Sequence, residues 1–288
     1  MKTNTLCFAI AAACLALPAA AQEGGDPDEE IVVTGERAEE ADAVRDQVQR
    51  LVDTNRADLP AKRYFDPFCV SVNGLNAAGN SYIRDRIAGH AERVGLMVQG
   101  EVCRPNALLI VHDEPASIVN QIMEEAPGLL PREERNGVEV QVRAGSPIIV
   151  WYNEEPRSQG GRPMAHDDLG LMSYSTRRGD NSWPSRTQLG YSLGIVSGVV
   201  ILDGEIVEGM EIDRLADYAA MRLLAPGLLP PQDGVPRPST IVAPFPLEEG
   251  AQMLTRFDRA YLQGLYSLQP NAPQMRLVQA VAEAYAEE

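Results

Sequence analysis

The sequence predicts an α+β fold: a mixed sheet with helices on one face and a helical C-terminal lobe. Three observations carry this. Between 62 and 126, short apolar runs suited to strands alternate with apolar positions at helical spacing. A second group of strand-like runs lies between 138 and 207, and beyond 208 the apolar positions recur at helical spacing only. About 230 residues following an acidic tail suffice for one such domain.

The chain opens with Met1-Lys2-Thr3-Asn4, an apolar run over 6–17, then Pro18 and Ala19-Ala20-Ala21. A short basic start, an apolar stretch too short to cross ~30 Å of hydrocarbon, and small residues before Gln22 have the form of a secretory leader, 1–21, cut after Ala21. Cys14 after three alanines offers a competing lipid-attachment cut. Ala11 stands where that signal usually has a larger apolar residue, so cleavage at Ala21 is the expectation. No later run approaches the ~18 uninterrupted apolar residues of a membrane helix, so the mature chain is expected in the periplasm without a transmembrane segment.

Of four cysteines, Cys7 and Cys14 leave with the leader. Cys69 and Cys103 remain in an oxidising compartment, and a disulfide between them is the leading reading. The short Cys-x-x-Cys spacing of a redox or metal site is missing.

The formal net charge is −16, and loss of the leader removes Lys2 but no acid. Nucleic acid and anionic lipid are poor partners for such a surface. Residues 22–42 hold nine acids against the single base Arg37. The tail, 22–60, therefore reads as mostly disordered, with one short amphipathic helix over 38–53 carried by Ala41, Val44, Val48, Leu51 and Val52.

Residues 61–155 read as a strand-helix-strand layer. A strand over 65–72 leads to a helix capped by Asn80 or Ser81, with Ile83, Ile87, His90 and Val94 on one face and Gly95 ending it. A buried strand over 108–111 follows, then a helix over 116–125 stopped by Pro127-Gly128. Runs at 138–142 and 147–152 suggest a hairpin across Ala144-Gly145. From 153 to 186 periodicity fades, and 156–186 is expected to be a long arginine-bearing loop of the kind often used for binding. In 187–288, a strand over 189–202 is expected to pair with 205–207 across Asp203-Gly204. Helical spacing follows in Ile212, Leu215, Ala216, Ala219 and Leu223, closed by Pro226-Gly227. A connector with six prolines over 230–246 precedes terminal helices at 254–266 and 274–285.

Two segments resemble known families. Glu30-Ile31-Val32-Val33-Thr34-Gly35-Glu36-Arg37 resembles the start of TonB-dependent outer-membrane receptors, which implies an envelope protein as partner, reached by strand addition. The order of a strand pair, the 212–224 helix, an irregular stretch and Leu254-Thr255-Arg256-Phe257-Asp258 through Tyr266 resembles zincin-type metalloproteases and uncharacterised bacterial relatives. That resemblance implies a zincin-like fold over roughly 187–268. Zincins hold zinc with two histidines four apart on the helix and a glutamate between them. No histidine follows His166 here, and Asp213, Asp217 and Tyr218 do not replace that set. A relative whose metal site is missing is the implied reading.

Other candidates are few. His112 beside Asp113 and Glu114, and His166 beside Asp167 and Asp168, supply a metal set only if folding joins them. His90 reads as a satisfied, partly buried imidazole. Gly190-Tyr191-Ser192-Leu193-Gly194 spells a nucleophile elbow, yet no helix pattern follows Ser192 and no histidine lies downstream. Arg157, Arg162, Arg177, Arg178 and Arg186 are candidates for binding an anion, with Trp151 or Trp183 as a stacking face. The expectation is a non-catalytic binding or scaffold protein of the cell envelope, without a cofactor. The alternative is a metal-dependent hydrolase using His112 and His166, or a hydrolase using Ser192.

Overall fold

The computed structural model describes residues 27–52, 57–100, 102–164, 189–228, 238–242 and 251–288. The chain divides into residues 1–38 and a compact unit, Glu39–Glu288, which holds the sheet. Helix α1 (Pro27–Leu51) is longer than the expected 38–53 and includes Ile31–Thr34, so the strand reading of that stretch is corrected to helix. Within the compact unit Val44, Val48 and Leu51 are fully buried, as their spacing predicts.

Four strands form one sheet in the order β1-β2-β4-β3. Strands β1 (Val70–Asn73), β2 (Ala107–His112) and β4 (Ser192–Asp203) are parallel; β3 (Ile148–Arg157) runs antiparallel to β4. Helix α2 (Ala77–Arg93) makes the crossover from β1 to β2. It starts where the Asn76 side chain accepts the Gly79 N–H at 2.8 Å, four residues ahead of Asn80, the earlier of the two caps the pattern suggested. It ends at Gly95, whose φ of 84° suits glycine. Ile83, Ile87, His90 and Ala91 are its buried face.

The disulfide between Cys69 and Cys103 is present, with Cα atoms 6.2 Å apart at a sequence separation of 34. Cys69 directly precedes β1 and Cys103 precedes its neighbour β2, which brings the two together. Asn106 ties the same corner: its Oδ1 accepts the Cys69 N–H at 2.8 Å and its amide donates to Pro67 O at 3.1 Å.

Three expectations are corrected. The helices cover both faces of the sheet. On one side Val72, Leu109, Val200 and Leu202 pack with α1, α2, α6 (Ile212–Leu224), α7 (Arg256–Ser267) and α8 (Leu277–Glu287). On the other, Ile149, Trp151, Val199 and Ile201 pack with α3 (Pro115–Glu125) and α4 (Arg132–Arg143). Residues alternate across β4 because strand side chains have period two, and a strand buried on both faces reads as a continuous apolar run.

The second correction is α4 itself. Val138, Val140 and Val142 alternate like a strand, but the segment is helical and only Val138 is buried. Its first turn carries Glu133 and Glu134 and its last Arg143, charges placed to favour the helix dipole. Gln141 on α4 meets the outer edge of β3: its Oε1 accepts the Val150 N–H at 2.9 Å and its amide donates to Val150 O at 3.0 Å.

Third, 205–207 is not a strand. Gly204–Val207 is a single helical turn, α5, with the Asp203 side chain accepting the Glu205 N–H. The partners of β4 are β2 and β3 instead, so the expected hairpin across Asp203-Gly204 does not form. The strand expected over 65–72 is shortened to Val70–Asn73, and β3 extends through Arg157 into what read as loop.

The C-terminal helices follow the pattern. Thr255 and Asp258 form a capping box at the start of α7. The absent side chain of Gly264 lets α7 meet α8: a Cβ there would lie 2.8 Å from the Val281 nitrogen.

Candidate functional site

Several of the described residues singled out for chemistry are occupied in holding the fold. Ser192 is fully buried, and its hydroxyl donates to Ser158 O at 2.8 Å. Gly194 is required because the Arg157 side chain lies across it: an added Cβ would sit 2.4 Å from Arg157 Nε. The elbow-like spelling thus has two local structural causes. Arg157, only 2 % exposed, bonds both carboxylate oxygens of Asp66 and also pairs with Glu155. Its hydrogen bond to Asp66 holds the guanidinium above its ordinary pKa. Two acids of the chain already fill the position proposed for an anion, and Arg157 belongs to β3 and not to a loop. Arg162 is exposed beside it, its N–H bonded to Ser158 Oγ at 3.1 Å.

His112 is exposed at the end of β2, and its Nδ1 accepts the Glu114 N–H at 3.0 Å. His166, Arg177, Arg178, Arg186 and Trp183 lie outside the described residues, as does Ala21. Among the described residues no three His, Cys, Asp or Glu side chains converge as a metal set.

A buried polar junction that the sequence did not announce joins α2 to α6. Asp217, 1 % exposed, accepts from His90 Nε2 at 2.7 Å, from Arg86 Nη2 at 3.0 Å and from the Leu254 N–H at 2.9 Å. Arg93 donates to His90 Nδ1 at 2.9 Å. An arginine can only donate, so Nδ1 is unprotonated and the ring proton sits on Nε2, facing Asp217. Burial pushes the Asp217 carboxyl up, but the bonds from His90, Arg86 and Leu254 outweigh it and hold the group well below the usual carboxylate range. Asp213, one turn earlier, pairs with Arg86 at 3.3 Å and accepts from Tyr82. Asp213 and Asp217 of α6 therefore serve helix packing.

The open part of the molecule lies elsewhere, along β1, which is an edge strand. At its start, Phe68 N–H donates to Met97 O at 2.7 Å and Gln99 N–H donates to Phe68 O at 2.9 Å, so 97–99 pairs with the outer edge there. Cys69 O, one residue on, accepts from Ala107 on the β2 side. Backbone groups alternate in direction along a strand. Ser71 and Asn73 hence turn to β2, and Val70 and Val72 turn outward like Phe68.

Val70 and Val72 are both less than a tenth exposed, and both border hollows. Two hollows, of about 340 and 200 Å³, meet at Val70, Arg84 and Cys103. One wall is α2, from Ala77 to Glu92; facing it are Val98, Gln99, Gly100, Pro105 and the disulfide-bonded Cys103. Helix-interior Gly89 keeps the α2 wall low: a Cβ there would meet nothing within 4 Å, and the same holds at Gly100 opposite. No α6 residue lines either hollow. The sequence reading missed this groove because edge exposure depends on strand order, which no local pattern states; Gly89 inside a helical run was the one available signal.

Comparison with protein-family models, with curated proteins and with solved structures finds no match to this chain.

Proposed function

We propose that this chain is a non-catalytic binding protein of the cell envelope, holding a protein partner in the groove between α2 and the facing residues Val98, Gly100 and disulfide-bonded Cys103. The observation that carries this reading is the outward backbone of Val70 and Val72 beside the two hollows. A row of outward N–H and C=O groups on an edge strand is a template for pairing with another chain. The other edge strand, β3, is blocked at Val150 by Gln141. The disulfide agrees with folding in an oxidising compartment. No helix among the described residues is long and apolar enough to cross a membrane. Ser192 and Arg157, the side chains best suited by type to a reaction or to anion capture, are committed to internal bonds.

The test is a photo-crosslinking residue at Gly100 in the native host, with one at exposed Val140 on α4 as control. A discrete adduct of one size at Gly100, absent at Val140 and lost when Gly89→Trp is added, supports the reading. No adduct at Gly100, or the same adducts at both positions, overturns it.

A further inference from the structure

We infer that the occupant of the groove is an extended peptide segment of a partner protein, which adds to the outer edge of β1 as a new strand; this rests on the binding role proposed above and specifies its ligand. The edge is already used this way by the chain itself. Residues 97–99 pair with Phe68 in parallel, and Val98, Gln99 and Gly100 line the larger hollow. Val70 and Val72 continue the same row of outward N–H and C=O groups without a described partner strand. A peptide in this position extends a ladder whose first rung, 97–99 on Phe68, stands next to disulfide-bonded Cys69.

The dimensions agree. From Ala77 to Glu92 the α2 wall is roughly 22 Å long at 1.5 Å per residue, which matches about six or seven residues of extended chain. The side chains of an added strand alternate between the α2 wall and the disulfide wall. Ala88 and Gly89 leave room on the helix side for an apolar side chain at every second position of the ligand. A helix laid in the groove would leave the strand's outward groups unsatisfied, whereas a strand satisfies them.

The experiment selects a random dodecapeptide display library on the full oxidised chain, with counter-selection on Gly89→Trp. Recovered peptides are synthesised and N-methylated at single positions, and amide exchange of the protein is read with and without them. Gly137→Trp on α4 is the control, because its new side chain also meets open space. Expected are peptides whose affinity falls about tenfold or more in Gly89→Trp and stays within about twofold in Gly137→Trp. N-methylation of alternate amides should cost about tenfold each while the intervening ones cost little, the loss of one hydrogen bond in each case. Exchange at Val70 and Val72 should slow on binding, with Ser71 and Asn73 protected already. Gly100→Trp, on the opposite wall, serves if Gly89→Trp fails to fold. Recovery of no peptide, indifference to N-methylation, or a concentration-dependent dimer that occupies β1 with a second copy would overturn the inference. In the indifferent case a Gly100 crosslink still stands for the binding role alone; without that crosslink both fall.

Discussion

His90 on α2 donates its Nε2 proton to Asp217 on α6 at 2.7 Å, and both side chains are buried between the helices. Arg86 and the Leu254 N–H complete the set of donors to the same carboxylate. Asp217 thereby joins α2, which walls the groove, to α6 and to the entry of α7. Replacing it with asparagine removes a charge from a buried, hydrogen-bonded cluster and leaves Arg86 with Asp213 as its remaining carboxylate. Asp217→Asn is expected to cost about 3 kcal/mol of stability at neutral pH, measured by urea unfolding. An unchanged unfolding midpoint would contradict the account.

The same carboxylate sets an acid limit. Its folded pKa lies below its unfolded value, so its contribution is present above about pH 4 and is lost as pH falls toward the folded value. Asp258 is buried against Thr240, Thr255 and the Ile241 N–H. There, burial outweighs those bonds and raises the pKa, so this group works in the opposite direction. The wild-type urea midpoint is expected to fall between pH 5 and pH 2.5 toward that of Asp217→Asn without reaching it, while the profile of the variant is flatter. Parallel profiles for the two proteins would show that Asp217 is not the group responsible.

Removing both sulfurs, as Cys69→Ser with Cys103→Ser, is expected to lower stability by roughly 3–4 kcal/mol through the restored freedom of the unfolded loop. Exchange at the Gln99 amide, which bonds to Phe68 O, should quicken more than exchange in α6. Equal acceleration everywhere would mean that the bridge acts only through global stability.

Two glycines should respond with opposite sign. Gly89→Ala replaces a helix-interior glycine where a methyl meets nothing, and is expected to stabilise by about 0.5–1 kcal/mol. Gly264→Ala forces a Cβ against the Val281 backbone and is expected to destabilise by about 1–3 kcal/mol. Differential scanning calorimetry of both variants reads the two signs directly.

Legibility in the sequence followed the range of the interaction. The α6, α7 and α8 helices were readable because amphipathic spacing and the Thr255–Asp258 box are local, and β2 because a buried parallel strand is an apolar run. Cysteine counting sufficed for Cys69–Cys103. Val138, Val140 and Val142 misled because alternation also fits a helix that buries one residue and uses Gln141 to meet a distant strand. Residues 205–207 misled because Asp203-Gly204 suits both a hairpin turn and a helix cap; which forms depends on β2 and β3 already occupying both sides of β4. Strand order, and with it the open edge at Val70 and Val72, comes from pairings between residues far apart in sequence, as does the encounter of His90 with Asp217.

Gln141 has a consequence for how many molecules can associate through this sheet. Edge-to-edge joining propagates into fibres only if each unit offers two usable edges, one to give and one to receive. With an amide seated on the middle of β3, a molecule that has engaged at β1 presents no second edge of equal quality. Assembly by this route stops after a single event, leaving a closed pair or a one-to-one complex and no growing filament.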